Sequence, residues 1–266
     1  MLELIETAPN VNVQESEYQR LLGLPKSHLM EGRTRELADA ARHWYAENGR
    51  PWIYAREVNA LELADGKVRI GETEFSSRQL HDQFVEAQVH TAVLVAVGAG
   101  RECEEHAQQL WRESKPDEYF FMEMFGSAVV EHLITLASGR LCGWADHIGS
   151  AVLPHYSPGY SGWDISDQIK LWHLMRQSDS SHFVGKLDVL ETGMLRPKKS
   201  QLTVFGVARH LEKASHLTKL IPCHSCSLPK CHYRRAPYQR APQQIENVRA
   251  LLSNALENFN KEKLPL

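Results

Sequence analysis

Residues 117–136 constrain the fold of this chain more than any other stretch, because their pattern is helical yet leaves no polar face wide enough to lie on water. Phe120, Phe121, Met124, Val129, Leu133 and Leu136 run around most of a helical circumference, so this helix has to be covered on several sides and sit centrally. The covering elements are legible on either side of it. Residues 34–48 place Leu37, Ala41, Trp44 and Tyr45 on one helical face and stop at Gly49-Arg50-Pro51. Residues 52–58 and 67–70 alternate about an Asp65-Gly66 turn, which predicts a hairpin. Residues 76–88 start at a capping hydroxyl and carry Leu80, Phe84 and Val85 at helical spacing. Residues 91–97 are β-branched or apolar throughout, the mark of a buried strand, and 101–114 form a polar helix. Further on, the pattern predicts helices over 164–176, 209–220 and 243–259 and a strand over 200–207. Helices and strands mixed without a repeated βαβ unit indicate an α+β fold.

A chain of 266 residues with 42% apolar side chains has enough material for a substantial core without covalent staples. The longest unbroken apolar run, residues 92–97, is far short of the ~20 residues that span a bilayer. The N-terminal MLELIETAPNVNVQESE is acidic and lacks the basic start and apolar middle of a secretory signal. These features predict a cytoplasmic protein with no membrane segment. The net charge of −3 gives no reason to expect nucleic acid. The charge is unevenly spread, however: residues 1–195 hold 17 Lys and Arg against 29 Asp and Glu, whereas 196–240 hold ten against Glu212 alone. Such asymmetry fits a docking face for an acidic partner, and equally a basic loop neutralised by the acidic half of the same chain. With no internal repeat or low-complexity linker, the simplest division is an N-terminal arm (1–30), one α+β domain (31–220), a Cys-rich loop (221–240) and a C-terminal helix (241–266).

The Cys-rich loop reads PCHSCSLPKCHYRR and holds Cys223, Cys226 and Cys231 as C-x2-C-x4-C, while Cys103 and Cys142 stand alone in helical contexts. An odd cysteine count argues against a disulfide framework. Three thiolates so closely spaced match the ligand sets of zinc or of an iron–sulfur cluster. His224, His232, Cys142 or a small molecule are the candidates for a fourth ligand. The plainer reading is three reduced thiols that cap a turn. Gly98-Ala99-Gly100 follows a strand and opens a helix, but Cys103 occupies the place of the third glycine of a dinucleotide fingerprint, so that reading is set aside. Glu123, Glu131 and Asp146 have the chemistry for acid–base work, with nothing in the sequence to bring them together.

Between the central helix and residues 164–176 lies LPHYSPGYSGWD, where aromatic rings alternate with turn formers. Pro158 fixes one backbone angle and Gly159 frees the next, so Tyr156, Tyr160 and Trp163 project from one tight bend. By itself the segment is either a turn with buried rings or a seat for something flat. Its neighbours, in order, are GKVRIGETEFSSRQLHDQF, TAVLVAVGAGRECEEHAQQLW, DEYFFMEMFGSAVVEHLITLASGRL, DISDQIKLWHLMRQ and MLRPKKSQLTVFGV. In this order, over roughly residues 50 to 235, the chain resembles the activation (reactivation) domain of cobalamin-dependent methionine synthase, whose R-x-x-x-G-Y loop binds S-adenosylmethionine. It is similar above all to stand-alone relatives with a loop close to R-x-S-P-G-Y-G and a Cys-rich end followed by Y-R, here Cys231-His232-Tyr233-Arg234.

The resemblance implies a twisted, mainly antiparallel sheet packed with helices. It implies S-adenosylmethionine held by His155, Tyr156, Pro158, Gly159, Tyr160 and Phe205, with Gly159 and Tyr160 as the family's G-Y pair. The family's arginine falls on His155, which has fewer donors, and Phe205 falls about where the family has a tyrosine. Lys198 or Lys199 is the candidate for the missing charge. The implied function is reductive remethylation of cobalamin on a partner, either a corrinoid-binding protein or methionine synthase modules. There one electron reduces Co(II) to Co(I), and Co(I) takes the sulfonium methyl. No side chain of this protein acts as nucleophile or base in such a reaction. An acidic electron-transfer protein, or an iron–sulfur cluster on Cys223, Cys226 and Cys231, would deliver the electron. Asp179 and His182 nearly spell the D-x-H-x-x-G of corrinoid-binding domains, but one extra residue separates them, so the chain is not expected to carry its own corrinoid. The alternative is an accessory protein of a corrinoid methyltransferase system, binding zinc or an iron–sulfur cluster without turnover of its own.

Overall fold

In a computed structural model, residues 1–25, 27–58, 60–177 and 187–209 are described. The elements follow in the order β1 (Glu3–Glu6), α1 (Glu15–Leu21), α2 (Gly32–Asn48), β2 (Trp52–Val58), β3 (Leu61–Ala64), β4 (Lys67–Ile70), β5 (Thr73–Phe75), α3 (Arg78–Glu86), β6 (Val89–Gly98), α4 (Arg101–Arg112), α5 (Pro116–His147), β7 (Ala151–Val152), α6 (Asp167–Met175), β8 (Asp188–Val189), β9 (Leu195–Arg196) and β10 (Ser200–Ala208). The main sheet has the order β1-β2-β6-β10-β7, and every neighbouring pair in it is antiparallel. This is an α+β fold built on an antiparallel sheet.

β6 occupies the middle of that sheet, and its alternation sorts the core into two halves. Val93, Val95 and Val97 face a helical layer of α1, α2, α4 and α5. Ala92, Leu94 and Ala96 face the opposite side, with α3, α6, the small β3-β4-β5 sheet and the aromatic loop. Because both faces are covered, β6 is apolar almost throughout, without the in–out alternation of a half-exposed strand.

α5 runs for 32 residues with Pro116 in its first turn, eleven residues beyond the expected end at Leu136. One 18-residue window has a mean hydropathy of 1.3, long and apolar enough to cross a bilayer by length and composition, a property that unbroken apolar runs do not reveal. Much of its apolar surface is covered by the sheet and by α1, α2 and α4, while Phe120 stays exposed. The approach to α4 and β10 is close: a Cβ on Gly126 would lie 2.7 Å from Cys103 Sγ and 3.1 Å from Lys199 Cγ.

Two expectations are corrected by the strand partners. Asp65 and Gly66 do form a tight turn, with φ of 53° and 73°, but they join β3 to β4 and not β2 to β4. β2 pairs instead with β1 and β6 in the main sheet. The physical cause is burial: residues 52–55 are all buried, which a two-stranded ribbon does not offer, while β3 and β4 are alternately exposed. Residues 1–25 are not a separate arm, since β1 pairs with β2 along Glu3–Glu6 and α1 packs on α5. Tyr18 explains the docking of this polar segment. Its ring is fully buried against Phe121 and Phe125, and its hydroxyl donates to the Phe121 carbonyl at 2.8 Å. The helices expected at 209–220, apart from Arg209 itself, and at 243–259, with the divisions at 221–240 and 241–266, lie outside the described residues.

Candidate functional site

The aromatic loop is tied to the sheet at one rung. Tyr156 and Val204 exchange backbone hydrogen bonds of 2.9 Å in both directions, and Thr203 Oγ1 donates to the Tyr156 carbonyl at 2.9 Å. Beyond this rung the chain folds back on itself: Tyr160 N–H donates to Ser157 O at 3.1 Å, Trp163 N–H to Tyr160 O at 3.0 Å, and Gly159 N–H to Trp163 O at 2.9 Å. Gly159 takes φ of +91°, a conformation that disfavours any side chain, and it is exposed.

The bend sorts its three rings. Tyr156 and Trp163 stack at 6.1 Å and 8° and are 4% and 3% exposed, so both belong to the core. The Trp163 indole N–H donates to Asp167 Oδ2 at 2.9 Å, and Asp167 also meets Lys170 at 2.7 Å. The Tyr156 hydroxyl donates to the Ser161 carbonyl. Tyr156, expected on the ligand side, therefore braces the bend from within, as does the buried Pro158. His155 and Tyr160 are half-buried at the surface and joined by a 3.0 Å hydrogen bond between Nε2 and the hydroxyl. Phe205, 1% exposed, packs its ring 5.7 Å from that of His155 and is a support beneath it.

One residue was missed in the sequence. Gln201 Nε2 donates to Ser157 Oγ and to the Tyr160 hydroxyl, both at 3.1 Å, and so fixes the loop to β10 from the strand side. The available signal was a polar side chain in register with Thr203 and Lys199, on a strand otherwise apolar. His155, Gly159, Tyr160 and Gln201 are among the residues at least partly exposed at this bend.

No family model matches the sequence, and no curated protein matches it. In three dimensions the chain is similar to the MetH reactivation domain, whose crystal structure was solved bound to AdoHcy, with a TM-score of 0.55 over 73% of each chain. The chain has the fold of the MetH reactivation domain. At 10% identity the likeness is one of fold.

Within this reactivation-domain fold, the lysines expected to replace the arginine are engaged elsewhere. Lys199 Nζ lies 3.1 Å from Glu123 Oε2 and donates to Ser127 Oγ at 2.9 Å, while Lys198 Nζ lies 2.8 Å from Glu123 Oε1. The pair ties the start of β10 to α5. Burial alone would lower the Lys198 pKa, but the Glu123 carboxylate outweighs it and raises the value. Glu123 is thus an ion-pair partner of two lysines and not half of an acid–base pair.

Gly98-Ala99-Gly100 is a filled corner, with Ala99 N–H donating to Lys199 O at 2.9 Å and Ala99 O accepting from the Tyr45 hydroxyl at 2.7 Å. A dinucleotide has no entry there. Cys103 is buried and its thiol is pushed up to about 12 by that burial, whereas Cys142 is exposed on α5. Cys223, Cys226 and Cys231, with His224 and His232, lie outside the described residues. Among the described residues no three His, Cys, Asp or Glu side chains are grouped closely enough to hold a metal ion.

Proposed function

We propose that this protein binds S-adenosylmethionine at the bend of His155, Gly159 and Tyr160 and serves the reductive remethylation of cobalamin on a partner corrinoid protein. The observation that carries this reading is the coincidence of a reactivation-domain fold, whose solved neighbour holds AdoHcy, with a Pro-Gly-Tyr bend pinned to β10. The residues fit such a ligand. Exposed Gly159 lets a flat or charged group approach the backbone closely, and Tyr160 presents a ring together with a hydroxyl held in place by Gln201 and His155. Bound S-adenosylmethionine supplies an electrophilic sulfonium methyl. The protein's part is positional: the core pair Tyr156 and Trp163 keeps the bend rigid, so that the ligand's reactive group meets a docked partner in one orientation, and effective molarities in such arrangements reach about 10⁵ M or more.

The histidine at the arginine's position gives up two parallel carboxylate bonds, so S-adenosylmethionine is held through ring and backbone contacts more than through a carboxylate clamp. Cys223, Cys226 and Cys231 are proposed to hold zinc or an iron–sulfur cluster, and a cluster would bring the electron to the partner's cobalt. Anaerobic purification distinguishes the two metals, since only the cluster gives acid-labile sulfide and a bleachable absorbance. Calorimetry with S-adenosylmethionine and AdoHcy tests the ligand. Saturable binding that weakens about tenfold or more in Tyr160→Ala supports the site. No saturable binding of either compound by the folded protein would contradict it.

A further inference from the structure

α4, α5 and Lys198, two residues before β10, flank an open cleft away from the bend. Gln108, Trp111, Arg112, Tyr119 and Lys198 line a cavity of about 330 Å³. Gln108, Trp111 and Arg112 share one face of α4 by their spacing. Trp111 is 61% exposed, and its ring meets that of Tyr119 at 5.2 Å with a tilt of 58°, so the two make an apolar wall and leave ring surface open.

The rim is cationic. Lys198 is held at three points: its backbone N–H donates to Glu104 Oε2 at 2.8 Å, its ammonium meets Glu123 at 2.8 Å, and that ammonium stands 5.8 Å from the centroid of the Tyr119 ring. Two lysines share the Glu123 carboxylate and Glu104 stands at the Lys198 backbone, so these lysines are balanced by two acids and the uncompensated charge of the rim is that of Arg112. Arg112 makes no ion pair among the described residues. Glu113, next to Arg112 in the chain, is turned to Lys115 at 2.6 Å.

We propose that this cavity binds a planar organic anion of mononucleotide size, with its ring on Trp111 and Tyr119 and its anionic group between Arg112 and Lys198. The volume sits at the lower end of the ~300–1,000 Å³ typical of ligand sites, enough for one ring system and one charged group. Aromatic walls select flat ligands without reading their edges, and a guanidinium beside an ammonium selects phosphate or carboxylate. Lys198 is already ordered by its own contacts, so little freedom is lost on binding.

Adenosine monophosphate is the probe, titrated into the full-length protein and followed by tryptophan fluorescence and calorimetry. Saturable quenching is expected, lost in Trp111→Phe and weakened about tenfold or more in Arg112→Glu, with AdoHcy binding retained in both variants. Tyr160→Ala is expected to leave binding of the monophosphate unchanged, which separates this cavity from the proposed S-adenosylmethionine site. Adenosine and inorganic phosphate are each expected to bind at least tenfold more weakly. Equal binding by either alone, loss in Tyr160→Ala with no effect of Arg112→Glu, or no saturable binding at millimolar concentration would each overturn the proposal.

Discussion

Tyr156→Ala and Tyr160→Ala remove the same ring from one bend with different expected consequences. Tyr156 is 4% exposed and stacked on Trp163, so its loss is expected to cost about 3–5 kcal/mol of stability and to lower Tm in thermal unfolding. Tyr160 is half-buried and packs on the edge of the same core, so its removal is expected to lower Tm less than that of Tyr156 and to weaken AdoHcy binding. The two tyrosines look alike in the sequence because burial is decided by the Tyr156–Val204 rung, a contact between residues 48 positions apart that periodicity does not record. The same holds for Glu123 and Gln201, whose partners Lys198, Lys199, Ser157 and Tyr160 are all distant in the chain. Cys103 gives a second residue-level prediction. With its thiol at about 12 and its side chain buried, it is expected to stay unlabelled by iodoacetamide in the native protein at about pH 8, while Cys142 reacts; peptide mass mapping reads both.

At the scale of elements, the crossing of α5 with α4 and β10 depends on the missing side chain of Gly126. Gly126→Ala places a methyl 2.7 Å from Cys103 Sγ and is expected to cost about 1–3 kcal/mol, measured by denaturant unfolding. Adding Cys103→Ala is expected to recover part of that loss, and strict additivity of the two substitutions would contradict the contact. The central position of α5 was legible because an apolar circumference admits no other place. Its full length was not, because the run of apolar positions ends at Leu136 while tertiary contacts at Leu141 and Ala145 carry the helix onward. The Asp65-Gly66 turn was legible from its chemistry, but its strand partner was not: β3 has only four residues, all partly or fully exposed, and gives little pattern. α1 was hidden by its polar neighbours, although Tyr18 and Leu21 are what anchor it.

For the whole molecule, the order of the blocks around the central strand and helix was enough to indicate the fold, because each block packs on β6, α5 or β10. The helical layer also carries a pH dependence. His106 stacks on Trp44 at 3.9 Å and 4°, and burial holds its pKa below the usual histidine value. The unfolded chain therefore binds this proton more readily than the folded one. Stability from this residue is complete above the unfolded value of about 6.5 and is lost as pH falls through it toward the lower folded value. Thermal melts between about pH 5 and 8 are expected to show a smaller acid-side loss in His106→Gln than in the unchanged protein. The central claim is that a reactivation-domain fold presents a ligand site at the bend between β7 and α6. Hydrogen–deuterium exchange with and without AdoHcy tests it most directly. The account predicts slowed exchange over residues 155–162 and 200–205 on addition of AdoHcy, and unchanged exchange there, with slowing confined to other segments, would contradict it.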